Sequence, residues 1–524
     1  MSPMNATNRK WMSALGALAL AAGVLAGCGG TDKKTAETGG QAGTSPSGRS
    51  TESPKPPMKI TIMANLHTAE VPDPMIEKLI EEKTNTDLEI QWVPDGSYEE
   101  KLNAAFATGS LPMATYMKNQ STFVMFRDAI QNGQFWEIGP YLKEYPNLSR
   151  LNPAVLRNTS VDGKIYAIYQ ERPLSRQGLI IRKDWLDKLG LPMPQNVDEL
   201  YNVLKQFTEK DPDGNGKKDT IGLTDRNDLI YGAFKTVSSY FGTPNNWGEK
   251  DGQLLPEFMF PGYLETMKFF RKLHQEGLIN QDFPVTSKND QQNLLIRGVA
   301  GAYIGSMPDV QSLHEKIVAV NPQAQLDVHN RIAGPDGKYR VWAIPGYGNL
   351  VLFPKTAVKT EEQLKGVLAF YDKLMTPELA NLLQWGVEGR HYTLENGKAS
   401  PVADNKLLER EKRPYESIVV GGPSTIPGML ESTFKLPARA KAEQLVKDNE
   451  QFLIHDPAAP LSSKTYNEKG VKLQEIIRDA TYKFILGNLD EAGFQNEVER
   501  WKKEGGEQII REFNESYQKA KSNS

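Results

Sequence analysis

The run Asp211-Pro212-Asp213-Gly214-Asn215-Gly216-Lys217-Lys218-Asp219 puts oxygen-bearing side chains at its first, third, fifth and ninth positions. Lys217, the seventh, would add its backbone carbonyl, and Gly216, the sixth, stands where a sharp turn is needed. This is the opening of an EF-hand-like loop. Hard oxygen donors at alternate positions suit a Ca2+ ion. The run departs from that pattern at its twelfth position, where Gly222 replaces the bidentate Glu. Thr220, directly after the ninth position, is a poorer ligand than a carboxylate. The expectation is a structural Ca2+ site built from Asp211, Asp213, Asn215, Lys217, Asp219 and Thr220. The alternative is a turn held by Asp and Asn side chains that bond backbone amides.

A second set of residues suits binding rather than bond breaking. The chain holds 8 Trp and 19 Tyr. Aromatics on loops offer flat apolar faces to rings such as those of sugars. Four loop-like segments combine such faces with planar hydrogen-bonding groups. Residues 166–172 carry Tyr166 and Arg172 and lead on to Arg176. Residues 241–247 are rich in Gly, Pro and Asn and end on Trp247. Residues 342–349 carry Trp342 and Tyr347, and residues 385–392 carry Trp385, Glu388 and Tyr392. Arg172 and Arg176 could grip an acidic sugar through paired N–H donors, or equally form surface ion pairs. Tyr166 would serve a core equally well. Trp185 and Trp501 fall among periodic apolar residues and read as core.

Composition narrows the classes of partner. The formal net charge is -3, so no basic surplus argues for nucleic acid. The sequence holds no G-x-S-x-G elbow, no H-E-x-x-H pair and no phosphate loop. Six scattered His argue against a His-rich zinc site. A glycoside hydrolase would need a carboxylate pair, but 65 acidic residues supply coincidental pairs too easily to carry that reading. The expectation is a binding protein, not an enzyme, working as a monomer. A surface glycoside hydrolase and a peptide-binding receptor or adhesin are the alternatives.

The only cysteine, Cys28, excludes an intramolecular disulfide. It follows Arg9 and Lys10, an apolar stretch over 11–24, and Leu25-Ala26-Gly27. That stretch is too short to span a bilayer of about 30 Å comfortably. The order resembles a bacterial lipoprotein signal, in which the Cys thiol receives a diacylglycerol and becomes the first mature residue after cleavage. The resemblance implies a signal peptide over 1–27 and acyl chains, palmitate among them, on Cys28. Residues 28–57 are rich in Gly, Ser, Thr, Pro and Lys and cannot bury enough surface to fold. They read as a flexible stalk between membrane and domain. The expected location is the outer face of the cell membrane.

The elements that must position these groups follow from periodicity. A length of 524 residues exceeds what one core of about 250–300 residues holds, so two lobes are expected. Residues 59–64 and 88–93 alternate as strands. Residues 75–83 and 98–108 have helical spacing. Residues 165–169 and 178–182 read as strands. Asn196 with Glu199 has capping-box spacing before the stripe Leu200, Val203, Leu204 and Phe207. Thr360 with Gln363 starts another helix, and the chain is helical from about 471 to 518. Strand–helix alternation argues for a parallel sheet with helices on its faces.

Three stretches carry a family resemblance: 181–190 (IRKDWLDKLG), 385–392 (WGVEGRHY) and 501–506 (WKKEGG). They are similar to those of extracellular solute-binding lipoproteins of family 1, the capture subunits of ABC importers, in the branch serving oligosaccharides. The resemblance implies an α/β, two-lobe Venus-flytrap fold with hinge crossings and a helical C-terminal region. It implies an oligosaccharide ligand in the cleft and permease subunits in the membrane as partners. Crossings would fall near 170–176, 305–308 and 383–392. Lobe 1 would comprise 58–172 plus 307–380, and lobe 2 would comprise 173–306 plus 381–524. Alginate-binding relatives have a similar calcium loop, where a carboxylate after the ninth position completes the shell. Thr220 stands there in this chain.

Overall fold

The computed structural model describes residues 56–522. Cys28, the expected signal peptide over 1–27 and all but the last two residues of the expected stalk lie outside the described residues. Two sheets organise the rest. The first contains β1 (Met58–Leu66), β2 (Thr86–Pro94), β3 (Ala114–Met117), β4 (Ala167–Glu171) and β10 (Tyr347–Leu352), in the order β2-β1-β3-β10-β4. The second contains β5 (Gln177–Arg182), β6 (Ile221–Thr224), β7 (Ala300–Ser306) and β8 (Leu326–His329), in the order β8-β5-β7-β6. Two short strands, β9 (Val341–Trp342) and β11 (Leu453–Ile454), pair in parallel between them.

Each sheet is buried by the period-two rule acting on apolar runs. In β5 and β7, Leu179, Ile181, Ala302 and Ile304 feed one core, while Ile180 and Tyr303 feed a second core on the opposite face. Helix α4 (Val197–Glu209) lays Leu200, Val203, Leu204 and Phe207 on the first of these. The Phe207 ring meets Trp185 edge-on at 5.4 Å. The sheet meets them at Gly301, where a Cβ would lie 2.2 Å from the Phe207 ring, so glycine permits the close approach. The C-terminal helices α10 (Lys464–Ile485), α11 (Glu491–Trp501) and α12 (Glu507–Ser522) complete that core with Phe484, Phe494 and Trp501.

The cores divide the chain differently from the expected boundaries. Residues 307–329 include α6 (Val310–Val320) and β8, and both belong to the second sheet: β8 pairs with β5, and Leu313 and Ile317 pack beneath it. Residues 382–429 contribute Leu382, Leu383, Tyr415, Ile418 and Ile426 to the first core. The chain therefore does not leave the first lobe at 383–392. Register with distant strands decides these memberships, and local periodicity carries no record of it.

The crossing at 172–176 does lie between the two sheets, joining β4 to β5. The residues around it form a hydrogen-bonded hinge. Arg172 N–H donates to Gly346 O at 2.9 Å and Ile344 N–H to Leu174 O at 2.8 Å. Asn449 Nδ2 donates to Ser175 O at 3.1 Å and Gln177 O at 3.0 Å. The segments that meet there are 172–177, 341–346 and 449–454. Residues 305–308 touch the hinge through Met307 N–H on Arg176 O at 2.8 Å, then return to the second sheet.

Candidate functional site

Strand direction fixes which ends of the sheets face the hinge. β4 ends there, so β10, antiparallel to it, begins there; β3 is antiparallel to β10 and ends there, as do β1 and β2, which run parallel. In the second sheet β5 starts at the hinge, so β7 ends there and β6, parallel to β7, ends there too. Carboxyl ends of parallel strands from both lobes thus converge on one region. In open α/β sheets ligands bind outside such ends.

On the first lobe this edge is polar. Asn65, near the end of β1, donates to His67 Nε2 at 2.7 Å and to Asp95 Oδ1 at 3.3 Å. Lys118, just past β3, donates to Asp95 O at 3.0 Å and lies 3.7 Å from Glu99. Asn349 on β10 donates to Ser417 O at 2.7 Å. Gln170 on β4 donates to Glu416 O at 2.9 Å. Asn65, His67, Asp95 and Lys118 carried no motif. Asn65, His67 and Asp95 stand at or just past the ends of strands readable at 59–64 and 88–93, whereas Lys118 follows β3, which the sequence did not show.

Arg172 and Arg176 stand at the junction of this edge with the hinge. Arg172 keeps an exposed surface. Even so, its guanidinium pKa is lowered, first by desolvation and then by the neighbouring Arg176, with Glu416 opposing. Among the described residues neither guanidinium is held by a side-chain hydrogen bond or a salt bridge; Glu416 acts on Arg172 only as a nearby charge.

On the second lobe, Asp225 follows β6 and is 2 % exposed. Its carboxylate accepts Ala233 N–H at 2.9 Å, and burial pushes its pKa up to about 7. Arg226 donates to Gln291 Oε1 at 3.1 Å and to Tyr231 O. Asp456, beyond β11, accepts from Asn246 Nδ2 at 2.8 Å, and burial raises it to about 6.

The aromatic candidates fare unevenly. Trp247 is buried, its ring 4.8 Å from Phe513 in the second core, so it offers no free face. Trp342 is buried at the hinge, donating through Nε1 to Thr236 Oγ1 at 3.1 Å. Tyr347 and Tyr392 are also buried. These four aromatics are buried because each stands on a strand rather than on a loop. Trp385 is half-buried at the end of α8 (Pro377–Trp385) and donates to Leu430 O at 3.0 Å. The Lys412 ammonium lies 5.8 Å from its ring and pairs with Glu416, the carboxylate beside Arg172. Glu388 is exposed and bridges by its backbone to Tyr392. Tyr166 precedes β4, at the opposite end from Arg172 and near Lys164 and Glu137.

The Asp211 loop adopts a tight Asx-rich turn. Asp211 accepts Gly214, Asn215 and Gly216 N–H groups at 2.8–3.0 Å. Asn215 Nδ2 donates to Asp213 Oδ2 at 2.7 Å and Asp219 Oδ1 at 3.1 Å. Its Oδ1 accepts Lys217 N–H at 2.8 Å. Thr220 is not part of this group: it is buried, and its hydroxyl donates to Phe207 O at 2.8 Å. The Lys188 ammonium reaches over the loop at Gly214. Among the described residues no three His, Cys, Asp or Glu side chains gather as a ready metal cluster. The donors that do converge are all oxygens, apart from the Asn215 amide. Turning that amide by half a revolution would exchange its nitrogen for oxygen. Asp211, Asp213, Asn215 and Asp219 are the oxygen-bearing side chains that the turn brings together.

A family model described as bacterial extracellular solute-binding protein matches residues 67–380, more than half of the chain. The chain belongs to that family. This solute-binding protein is 45% identical over 516 residues to the polygalacturonan/rhamnogalacturonan-binding protein YtcQ of Bacillus subtilis, covering 98% of this chain and 99% of that protein. It is 36% identical over 522 residues to lipoprotein LipO of the same organism, covering 98% and 99%. Its fold is similar to that of a solved solute-binding protein, described as HMO-binding and ABC-transporter-associated, from Bifidobacterium longum infantis. That match has a TM-score of 0.68 at 16% identity and covers 89% of this chain and 99% of the other. Among the described residues no helix is long and apolar enough to cross a membrane.

Proposed function

We propose that this solute-binding protein captures an anionic oligosaccharide between its lobes and delivers it to an ABC import permease. It does so as a monomer tethered through Cys28 to the outer face of the membrane. The observation that carries the reading is the pair Arg172 and Arg176 beside the hinge, near enough for the Arg176 charge to act on a desolvated Arg172, with neither guanidinium held by a salt bridge among the described residues. Two neighbouring guanidiniums without a salt-bridge partner repel each other, and an arriving anion relieves that repulsion. A uronic-acid carboxylate matches their forked donors. The extensive similarity to a polygalacturonan/rhamnogalacturonan-binding protein supports the same ligand class, and the similarity to a lipoprotein supports the anchor.

The test is calorimetric titration with oligogalacturonides and with neutral oligosaccharides of equal length. Tighter binding of the acidic series is expected. Arg172→Ala and Arg176→Ala should each weaken it by roughly 10–100-fold, as loss of a charged hydrogen bond predicts. Equal affinity for neutral sugars, or unchanged affinity in both variants, would remove the anionic reading. The ligand should be recovered intact, whereas turnover would favour the glycoside hydrolase.

The Asp211 loop supports a second element of the reading, a structural Ca2+ site. Asp211, Asp213, Asn215 and Asp219 would hold the ion with the Lys217 carbonyl. Crowding is visible without it: the Asp213 carboxyl is raised, first by desolvation and then by Asp211. Chelator is expected to lower the melting temperature and Ca2+ to restore it, and Asp213→Ala should abolish that response. A melting temperature indifferent to chelator would leave only an Asx-rich turn.

A further inference from the structure

Tyr231 is the most exposed Tyr or Trp among the described residues, at 52 %. A single exposed aromatic ring is common on a protein surface and needs no explanation by its exposure alone. This one, however, is fixed. Its ring lies 5.7 Å from Trp342 in an edge-on arrangement. Trp342 is itself held by Nε1 on Thr236 and by its N–H on Ser239 Oγ at 3.0 Å. The backbone beneath is tied down as well. Asp228 Oδ1 accepts Ile230 N–H at 3.0 Å and Tyr231 N–H at 2.9 Å, and Arg226 donates to Tyr231 O.

Position completes the case. Tyr231 lies between β6 and α5 (Ala233–Tyr240), outside the carboxyl end of β6 and therefore at the hinge end of the second sheet. Its prop, Trp342, belongs to the hinge strand β9, four residues before Gly346, whose carbonyl accepts from Arg172. Its neighbour Ile230 is exposed as well, at 48 %, amid the polar Arg226 and Asp228. Tyr231 supplies an apolar face, which a pyranose ring needs for its C–H surface.

We propose that Tyr231 is the aromatic platform on which one sugar ring of the captured glycan stacks. This rests on the receptor reading above. A ring held before the ligand arrives loses little freedom on binding, so its contribution to affinity is large. The Trp342 neighbour also makes the contact visible, because a sugar on Tyr231 changes the surroundings of that indole.

The experiment titrates the full chain and its Tyr231→Ala and Tyr231→Phe variants with tetragalacturonate, xylotetraose and maltotetraose, following heat and tryptophan emission. Tyr231→Ala should weaken whichever tetrasaccharide the unaltered chain binds by tenfold or more and abolish the emission change. Tyr231→Phe, which keeps the face, should recover most of the affinity. A melting temperature within 2 °C of the parent, on the order of the shift a surface change gives, would show that folding is intact. If tetragalacturonate binds the parent and Tyr231→Ala equally well, the platform is refuted and the receptor reading stands. If only a neutral sugar binds, and Tyr231→Ala weakens it, the platform stands and the anionic reading falls. If no sugar binds the parent, both fall together.

Discussion

Single residues set the electrostatics of this protein more than its net charge does. Asp225 is buried at the end of β6 among Arg226, Asp228 and Tyr482, with its carboxyl pushed up to about 7. In the unfolded chain the same group titrates near about 4. Between those values the folded state keeps a proton that the unfolded state releases. Its contribution to stability is therefore full below about pH 4 and is lost as pH rises through about 7. Asp225→Asn keeps an acceptor for Ala233 N–H and cannot ionise. The parent's melting temperature minus the variant's is expected to fall between pH 4 and 8; a constant difference would mean the carboxyl ionises normally. The sequence disclosed little at this scale. It named Arg172 and Arg176 either as a grip for an acidic sugar or, equally, as members of surface ion pairs. It assigned Trp247 to a loop surface and Thr220 to a metal, because neither a long-range ring contact with Phe513 nor a bond to Phe207 O leaves a local trace.

Elements were more legible than residues. The alternation at 59–64 and 88–93 became β1 and β2, each slightly longer than its apolar signal. The cap formed as spaced, with Asn196 Oδ1 accepting Glu199 N–H at 2.9 Å, but Glu199 returns to Gln195 N–H at 2.8 Å, one residue before the N-cap amide that a capping box would use. The hinge strands β9 and β11 have two residues each, too few to show a period. One cross-lobe contact was also invisible beforehand. Arg127, on the short first-lobe helix α3 (Arg127–Gln131), is buried and donates to Ala459 O at 2.9 Å and to Leu461 O. Ala458 and Leu461 belong to the second core. Arg127 therefore fastens one lobe to the other. Arg127→Ala is expected to cost about 2 kcal/mol in chemical unfolding, by loss of hydrogen bonds to a charged donor. It should also enlarge the radius measured by X-ray scattering. An unchanged radius would show that the lobes are held by the hinge alone.

At the scale of the molecule, two sheets with separate cores meet at three strand segments, and length alone had called for two lobes. Which segments belong to which lobe escaped the sequence, because β8 finds β5 across more than a hundred residues. The anchor is a prediction at this scale. Cys28→Ser should move the protein from the membrane fraction into the medium without altering its melting curve. Retention in the membrane would point to attachment by another route.

The placement of Arg172 and Arg176 on the first hinge segment has a mechanical consequence. Two bare cations on a pivot push against each other, so the pivot itself is loaded when no ligand is present. An arriving carboxylate discharges that load, and so do small ions at high ionic strength. Added salt should therefore mimic the occupied state in part, narrowing the angular spread of the empty receptor before any sugar is supplied.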